Sequence, residues 1–329
     1  MKQFNISEND SGQRLDKFLR KLFPNASSSL IYKFNRKNKI KVNNKRKDNE
    51  YKLQVWDIIK IFLLESDFET LTKKEVKKQA KIKEKFDTKN IIYEDGDILV
   101  INKEPWINVH PGDYKTKETN IISQIQDYLW NKLNSLTFRP SLVHRIDRDT
   151  SGILIIWKKK DILIRLVEDF KNHKKVKKIY YAIVLGKISN KSWTIDKKLL
   201  RIKWAKNEDK VQVSEAWLTA ITNFKVLNEI ILKTSLWEQV ISEVEVEILT
   251  WRMHQIRVHM SSIWCPILWD DKYGDKQFNS YLAKNFWLSR QALHAWKIEF
   301  FHYWKNKNMS LEANIKKDLS DFINKIKQN

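Results

Sequence analysis

The stretch Leu142-Val143-His144-Arg145-Ile146-Asp147-Arg148-Asp149-Thr150-Ser151-Gly152 sets two arginines around one aspartate, adds a second aspartate two residues on, and runs straight into the apolar segment Ile153 to Ile156. An aspartate flanked by two arginines at a loop-to-strand junction could belong to a catalytic centre. The same residues also fit a structural ion-pair network. A second stretch, Leu249-Thr250-Trp251-Arg252-Met253-His254-Gln255-Ile256-Arg257-Val258-His259, alternates Arg and His with apolar residues and reads as a basic strand or helix facing phosphate.

Arginine is scarce here, twelve against fifty lysines, yet Arg139, Arg145, Arg148, Arg252 and Arg257 fall within residues 139–148 and 252–257. Where lysine is the default cation, arginine is kept for its planar fork, which grips phosphate or carboxylate through paired hydrogen bonds. The net charge of +22 points toward nucleic acid or another polyanion, although an A/T-rich genome would by itself enrich Lys, Asn and Ile.

Other chemistries have little footing. Cys265 is the single cysteine and no CxxC or Cys/His cluster offers a zinc site. The nearest histidines, His254 and His259, are five apart, wrong for two ligands on one helical face. No metal and no cofactor are expected. No apolar run approaches the roughly 18 residues that span a bilayer, and the opening MKQFNISENDSGQRLD lacks the apolar centre of a signal peptide. A cytoplasmic protein with no membrane partner is expected.

These residues need a scaffold, and 329 residues with 42% hydrophobic content suffice for one large domain and an accessory. Residues 12–62 read as a compact unit. Leu15, Phe18, Leu19 and Leu22 have helical spacing, and Leu30, Ile31 and Phe34 begin a second helix after a serine-rich turn. Lys39 to Val42 alternates as a strand, Asn43-Asn44 is a turn, and Val55 to Phe62 is a further strand. Residues 63–88 read as a basic linker around KKEVKKQAKIKEK. From 89 onward, strand-like runs at Ile98 to Asn102, Ile153 to Trp157, Tyr181 to Leu185 and Val244 to Leu249 mix with helical periodicity at 161–172 and 313–327.

Together the two reactive stretches resemble the RluA-type pseudouridine synthases. HRIDRDTSGILII, the K-x-Y-Y-A-I-V run from Lys178 to Val184, and RMHQIRVH are similar to that family's three signature motifs. DDKYGDKQF (Asp270 to Phe278) and RQALHA (Arg290 to Ala295) fit as well, with the large-subunit ribosomal RNA subfamily, RluC, the nearest resemblance. RLDKFL and KIKVNNKR in the front unit resemble the S-four RNA-binding domain that this subfamily carries.

The resemblance implies an α+β fold: a catalytic domain over 89–329 with a mixed, largely antiparallel sheet, and a small N-terminal α/β RNA-binding domain. It implies a monomer that isomerises specific uridines of large-subunit ribosomal RNA to pseudouridine. The reaction moves ribose from nitrogen to carbon five of the base, is redox-neutral and needs no cofactor. By position, Asp147 is the nucleophile or charge stabiliser, Arg257 its cationic partner, and Tyr180 the residue against the target base. Arg145 fills the space left by a flipped uridine or contacts phosphate. Arg148 and Arg252 are expected to pair ions or hold RNA backbone, with Lys39, Lys41 and Arg46 as RNA contacts of the front unit. His144, His254 and His259 are framework residues in this reading. The same chemistry on transfer RNA, or a catalytically idle ribosome-assembly factor, are the alternatives; intact Asp147, Tyr180 and Arg257 disfavour the second.

One compositional feature stands apart. There are fourteen tryptophans and six glycines, where a glycine share of about 7% would give roughly 23. Trp56, Trp106, Trp251, Trp264, Trp269 and Trp287 stand where the family pattern has glycine. Trp193, Trp204, Trp237 and Trp304 lie in polar, turn-like contexts that favour glycine. Base stacking and core packing do not account for the turn positions. The expectation is a gene in which UGA encodes glycine, written out with a table that reads UGA as tryptophan.

Overall fold

The computed structural model describes residues 1–72, 84–111, 120–130, 132–133, 135–142, 144–160, 168–169, 175–204, 208–233 and 238–328. The core of the expected linker, 73–83, and most of the helix expected at 161–172 lie outside the described residues. Two compact units emerge. Met1–Phe86, Gly112–Ser141 and Trp157–Ile164 make one, and Asp87–Pro111, Leu142–Ile156 and Arg165–Asn329 the other. The chain therefore returns twice to the first unit, a pattern absent from the sequential division at 12–62, 63–88 and 89–329.

In the first unit, the apolar spacing of residues 15–22 folds as helix α1 (Leu15–Leu22), with Leu15, Phe18 and Leu19 buried. Ser27 caps α2 (Ser28–Arg36) by accepting from the Leu30 amide at 3.2 Å. Strands β1 (Lys2–Asn5), β2 (Ile40–Val42) and β3 (Ile58–Ile61) form an antiparallel sheet in the order β1-β3-β2. The core, including Ile6, Phe18, Ile31, Ile59 and Leu71, overruns 12–62 at both ends. Lys2 pairs with Ile61, and α3 (Glu65–Thr72) buries Leu71, so the start of the expected linker is helix. Asn43 and Asn44 make the expected turn, both with positive φ. Val55 to Asp57 are not strand; a turn closed by the Asp57 amide on the Gln54 carbonyl precedes β3. This unit also holds α4 (Ile121–Leu129), capped by Asn120.

The second unit is built on one large sheet. Its strands are β4 (Ile91–Glu94), β5 (Ile98–Lys103), β6 (Ser141–Leu142), β7 (Ser151–Trp157), β8 (Val176–Leu185), β9 (Ser192–Asp196), β12 (Ile221–Lys233), β13 (Glu238–Ile248), β14 (Leu293–His302) and β15 (Lys307–Glu312). A separate hairpin pairs β10 (Leu199–Trp204) with β11 (Glu208–Val213). The main path runs β4-β5-β7-β14-β8-β13-β12-β9. Pairs β4–β5, β14–β8, β8–β13, β12–β13, β9–β12 and β14–β15 are antiparallel, and β7–β14 is parallel. This is the mixed, largely antiparallel sheet of an α+β fold. Strands β5, β7 and most of β8 are buried throughout, which explains their unbroken apolar runs.

Helices α5 (Gln255–Ser261), α6 (Lys276–Asn285) and α7 (Lys317–Lys327) complete the unit. The stripe Leu319, Phe322, Ile323 and Ile326 is buried on α7, which starts later than residue 313 because the Ala313 amide bonds to the Trp296 carbonyl. Gly152 has φ of 113°, and a Cβ there would lie 2.2 Å from the Ala295 carbonyl oxygen. Only glycine lets β7 meet β14 so closely, and that contact seats the loop carrying Asp147. Among the described residues no helix is long and apolar enough to cross a membrane.

Candidate active site

Asp147 lies in the loop before β7, and that loop is pinned from three directions. The His144 ring, buried, accepts the Ile155 amide at 2.9 Å. The Thr150 amide donates to the Asp147 carbonyl at 3.2 Å. Lys103, fully buried at the end of β5, donates to the carbonyls of Glu104 (2.6 Å), Ile107 (3.1 Å) and Arg148 (2.8 Å). Burial pushes the Lys103 ammonium down to about 7, against the pull of nearby acids such as Asp149. The sequence alone gives Lys103 no role; a lysine closing an apolar strand was the available signal.

The second stretch forms α5, and its helical turn turns Arg257 inward. His254 is its N-cap, in the left-handed region at φ 53°. Gln255 fixes the turn: its Oε1 accepts from the Thr250 hydroxyl and the Arg252 amide, and its Nε2 donates to Ile221 and Thr222. Arg257 Nη1 donates to Asp147 Oδ2 at 3.0 Å. Its opposite edge is held by Asp270, with Nε to Oδ2 at 2.7 Å and Nη2 to Oδ1 at 2.8 Å. Asp270 is buried and also accepts the amides of Lys272 and Tyr273. Asp271 adds a contact from the exposed side at 3.2 Å.

This arrangement sets the charges. Burial works against ionisation of Asp147, but His254 and Arg257 outweigh it, and the carboxyl lies below its ordinary value. Burial likewise opposes the Arg257 charge, and Asp270 and Asp147 reverse that, so the guanidinium is more basic than usual. With Asp270 spending its lone pairs on the arginine's fork, the remaining Nη1 is aimed at Asp147. Sequence reasoning quoted Asp270 within a motif without giving it a role; a lone aspartate carries no mark of the arginine it will meet.

His254 is placed by a similar chain. The Tyr273 hydroxyl accepts the Val211 amide at 2.9 Å and lies 2.9 Å from His254 Nδ1, while Nε2 is 3.9 Å from Asp147 Oδ2. A Tyr273 proton given to Nδ1 leaves the hydrogen on Nε2, facing the carboxylate. Burial lowers the His254 pKa, against the pull of Asp147. Tyr180 is buried on β8 and its phenol is held protonated by burial and by the charge of Asp147.

Asp147, Tyr180 and Arg257 line one cavity of about 50 Å³, with Arg145, Trp251, Arg252 and His254 among its other walls. A neighbouring cavity of about 440 Å³ shares Arg145, Asp147, Trp251, Arg252 and His254. Arg145 and Arg148 are exposed. Arg148 approaches Asp149 at 3.8 Å, and Arg252 donates to the Thr219 carbonyl at 3.0 Å. His259 is held between Thr222 and the Lys197 carbonyl. In the first unit Arg46 is exposed and Lys39 and Lys41 are half-buried, with the Lys41 ammonium 5.6 Å from the Phe62 ring. A separate group, Asp95, Asp97 and His302, has donor atoms within 4.8 Å of one another. Asp95 there already accepts from Tyr93 and from the amides of Asp97 and Ile98, with Lys305 beside it at 3.1 Å, so its carboxylate is satisfied by the protein.

Comparison with known proteins bears on the family and the fold. The family described as RNA pseudouridylate synthase matches residues 97–262. "Ribosomal large subunit pseudouridine synthase C" of Buchnera aphidicola subsp. Baizongia pistaciae is 35% identical over 315 residues, covering 94% of this chain and 92% of its own. The protein of that name from Vibrio cholerae is 33% identical, covering 98% and 96%. The solved structure of human RNA Pseudouridylate Synthase Domain Containing 4 superposes with a TM-score of 0.56 over 73% of this chain and 93% of its own, at 22% identity, and so shares the fold. A match over half the chain, together with relatives similar along nearly all of it, means that this chain belongs to the RNA pseudouridylate synthase family.

Proposed function

We propose that this protein isomerises specific uridines of large-subunit ribosomal RNA, with Asp147 as the attacking carboxylate. The observation that carries the reading is the ionised Asp147, held by Arg257 on one oxygen and open to a cavity on its other side. Relatives named for large-subunit ribosomal RNA and a charge of +22 support the substrate class.

In this reading the enzyme draws a uridine out of its stack, and Arg145, exposed at the mouth of the cavity, enters the gap. The base lies on the Tyr180 ring. Asp147 bonds to the base or the sugar, the bond from C1′ to N1 breaks, the base turns, C1′ joins carbon five, and the bond to Asp147 is released; the carbon-five proton passes to the freed Asp147 carboxylate or to water, and N1 gains a proton. A protonated Tyr180 serves as a packing face and proton donor in this sequence, rather than as a standing phenolate base. Arg148, Arg252, Lys39, Lys41 and Arg46 supply backbone contacts that set register without reading bases. The protein acts as a monomer in the cytoplasm.

The test is tritium release from uridine labelled at carbon five in ribosomal RNA, comparing the wild type with Asp147→Ala. Release by wild type alone supports the assignment, and equal release would sink it. Release from transfer RNA in place of ribosomal RNA would replace the substrate. Mapping of pseudouridines with and without the gene identifies the sites.

A further inference from the structure

We propose that tryptophan occupies glycine positions in this chain as written, and that at position 251 the indole blocks the pocket a target nucleotide must enter. The first half stands on backbone geometry and composition alone. The second rests on the function proposed above.

Among the described non-glycine residues with positive φ, four are Asn, one is His254, and four are tryptophans: Trp56 (72°), Trp106 (68°), Trp264 (63°) and Trp269 (61°). Asn tolerates this region through its short polar side chain, whereas a bulky aromatic there is strained. Trp264 follows α5 with its amide on the Ser261 carbonyl, while the Cys265 amide reaches back to Met260. That pair of bonds is the helix ending in which the left-handed residue is usually glycine. Trp56 and Trp269 each stand third in a turn closed by the following amide, Asp57 to Gln54 and Asp270 to Ile267. A left-handed third residue is the type II pattern, which calls for glycine.

The side chains gain nothing to offset that strain. Trp264 is 91% exposed and Trp56 82%. Trp269 has the opposite fault, with its indole N–H buried and lacking an acceptor. Glycine at each position removes every one of these misfits. The two residue types together number twenty, close to the roughly 23 glycines a chain this long carries. A single cause, UGA codons that the source organism reads as glycine, covers the whole set.

Position 251 carries the functional consequence. Its indole lines both the cavity of about 50 Å³ over Asp147 and the adjoining one of about 440 Å³. It is wedged between the His144 ring, 5.6 Å away, and the Lys178 ammonium at 4.1 Å. Ligand pockets commonly measure about 300–1,000 Å³; the space that brings Tyr180 and Arg257 together with Asp147 is far smaller, while the adjoining one within that range reaches Asp147 but not Tyr180 or Arg257. The indole is a wall of both, so it stands between the larger space and Tyr180.

The decisive measurement is mass spectrometry of peptides spanning residues 47–60 and 254–272 from the protein isolated from its own cells. Glycine masses at 56, 264 and 269 are expected; tryptophan masses, or UGG codons in the gene, overturn the first half. Recombinant chains then test the second. W251G, with W251A in reserve should the glycine variant not fold, should raise kcat/KM for tritium release by about tenfold or more over the chain as written. Release no faster than the chain as written, while D147A remains silent, overturns the block at 251 and leaves the catalytic assignment intact. If no variant releases tritium although the peptides carry glycine, the proposed function and the block at 251 both fail, and the glycine inference stands.

Discussion

Asp10, closing a short 3-10 turn in the first unit, and Asp147, in a loop of the second, are aspartates of opposite fate. Asp10 is fully buried and accepts from five neutral donors: the hydroxyls of Ser7, Ser135 and Thr137 and the amides of Leu136 and Thr137. Each lone pair is spent, and the carboxylate works as a clasp between residues far apart in sequence. Asp147 keeps about a quarter of its side chain exposed and takes its ion pair from Arg257, with His254 and Gln291 beside it. A carboxylate encircled by dipoles is locked, whereas one steadied by a single oriented cation keeps an oxygen for substrate. Asp270 shows how that cation is oriented, because it is as saturated as Asp10 but spends its oxygens on the arginine.

The comparison breaks most plainly by isosteric exchange. Asp147→Asn should lower kcat by about 10⁴-fold or more in the tritium-release assay, with the denaturation midpoint unchanged or raised. Asp10→Asn should do the reverse. Turning two acceptor lone pairs into donors against a ring of N–H and O–H groups should cost about 3 kcal/mol in urea unfolding, with kcat of the folded fraction unchanged. Activity loss without stability loss at Asp10 would overturn the distinction.

A finer test leaves Asp147 in place and alters its steadying cation. Arg257→Lys keeps the charge but cannot hold Asp270 and Asp147 at once, so kcat should fall about 10²-fold. The sign of the pH effect follows from the pair. His254 and Arg257 hold Asp147 below its ordinary value, the active form is ionised, and activity is lost as pH falls through the folded-state pKa. Weakening the pair raises that pKa, so the acid limb of the rate profile should move to higher pH. Asp270→Asn should move it the same way. A smaller effect is expected from Tyr273→Phe, which removes the hydroxyl beside His254 Nδ1: a loss of about tenfold or less. Nitrogen NMR of the imidazole should show the hydrogen leaving Nε2 for a mixture of tautomers.

The mildest test sets the two units against each other by pH. The six histidines among the described residues belong to the second unit. Burial lowers His144 to about 3 and His294 to about 4. Unfolded histidine takes a proton near pH 6.5, so between there and about pH 4 the unfolded second unit binds protons that the folded one refuses, and its stability falls with pH. Hydrogen exchange at pH 5 should therefore quicken in β7 and β14 before α1 and α2, and His294→Gln should narrow the gap.

Local pattern accounts for much of this architecture. Helix α1, the Ser27 cap of α2, the Asn43-Asn44 turn and the buried strands β5, β7 and β8 are visible as spacing, capping residues and apolar runs, because each depends on neighbours within a few residues. Asp147, Tyr180 and Arg257 were singled out by motif resemblance. Asp270, Lys103 and the Tyr273–His254 pair were not, since each acts on a partner that the sequence does not place beside it. The return of residues 112–141 to the first unit was hidden for the same reason.

By itself the sequence determined the periodicities, the charge, the motif residues and the anomalous ratio of tryptophan to glycine, all properties of local order and composition. Only the tertiary structure decided which aspartate is clasp and which is reactive. A carboxylate's chemistry is set by the dipoles and charges within a few ångströms, and four of the five donors to Asp10, like Arg257 beside Asp147, come from more than a hundred residues away.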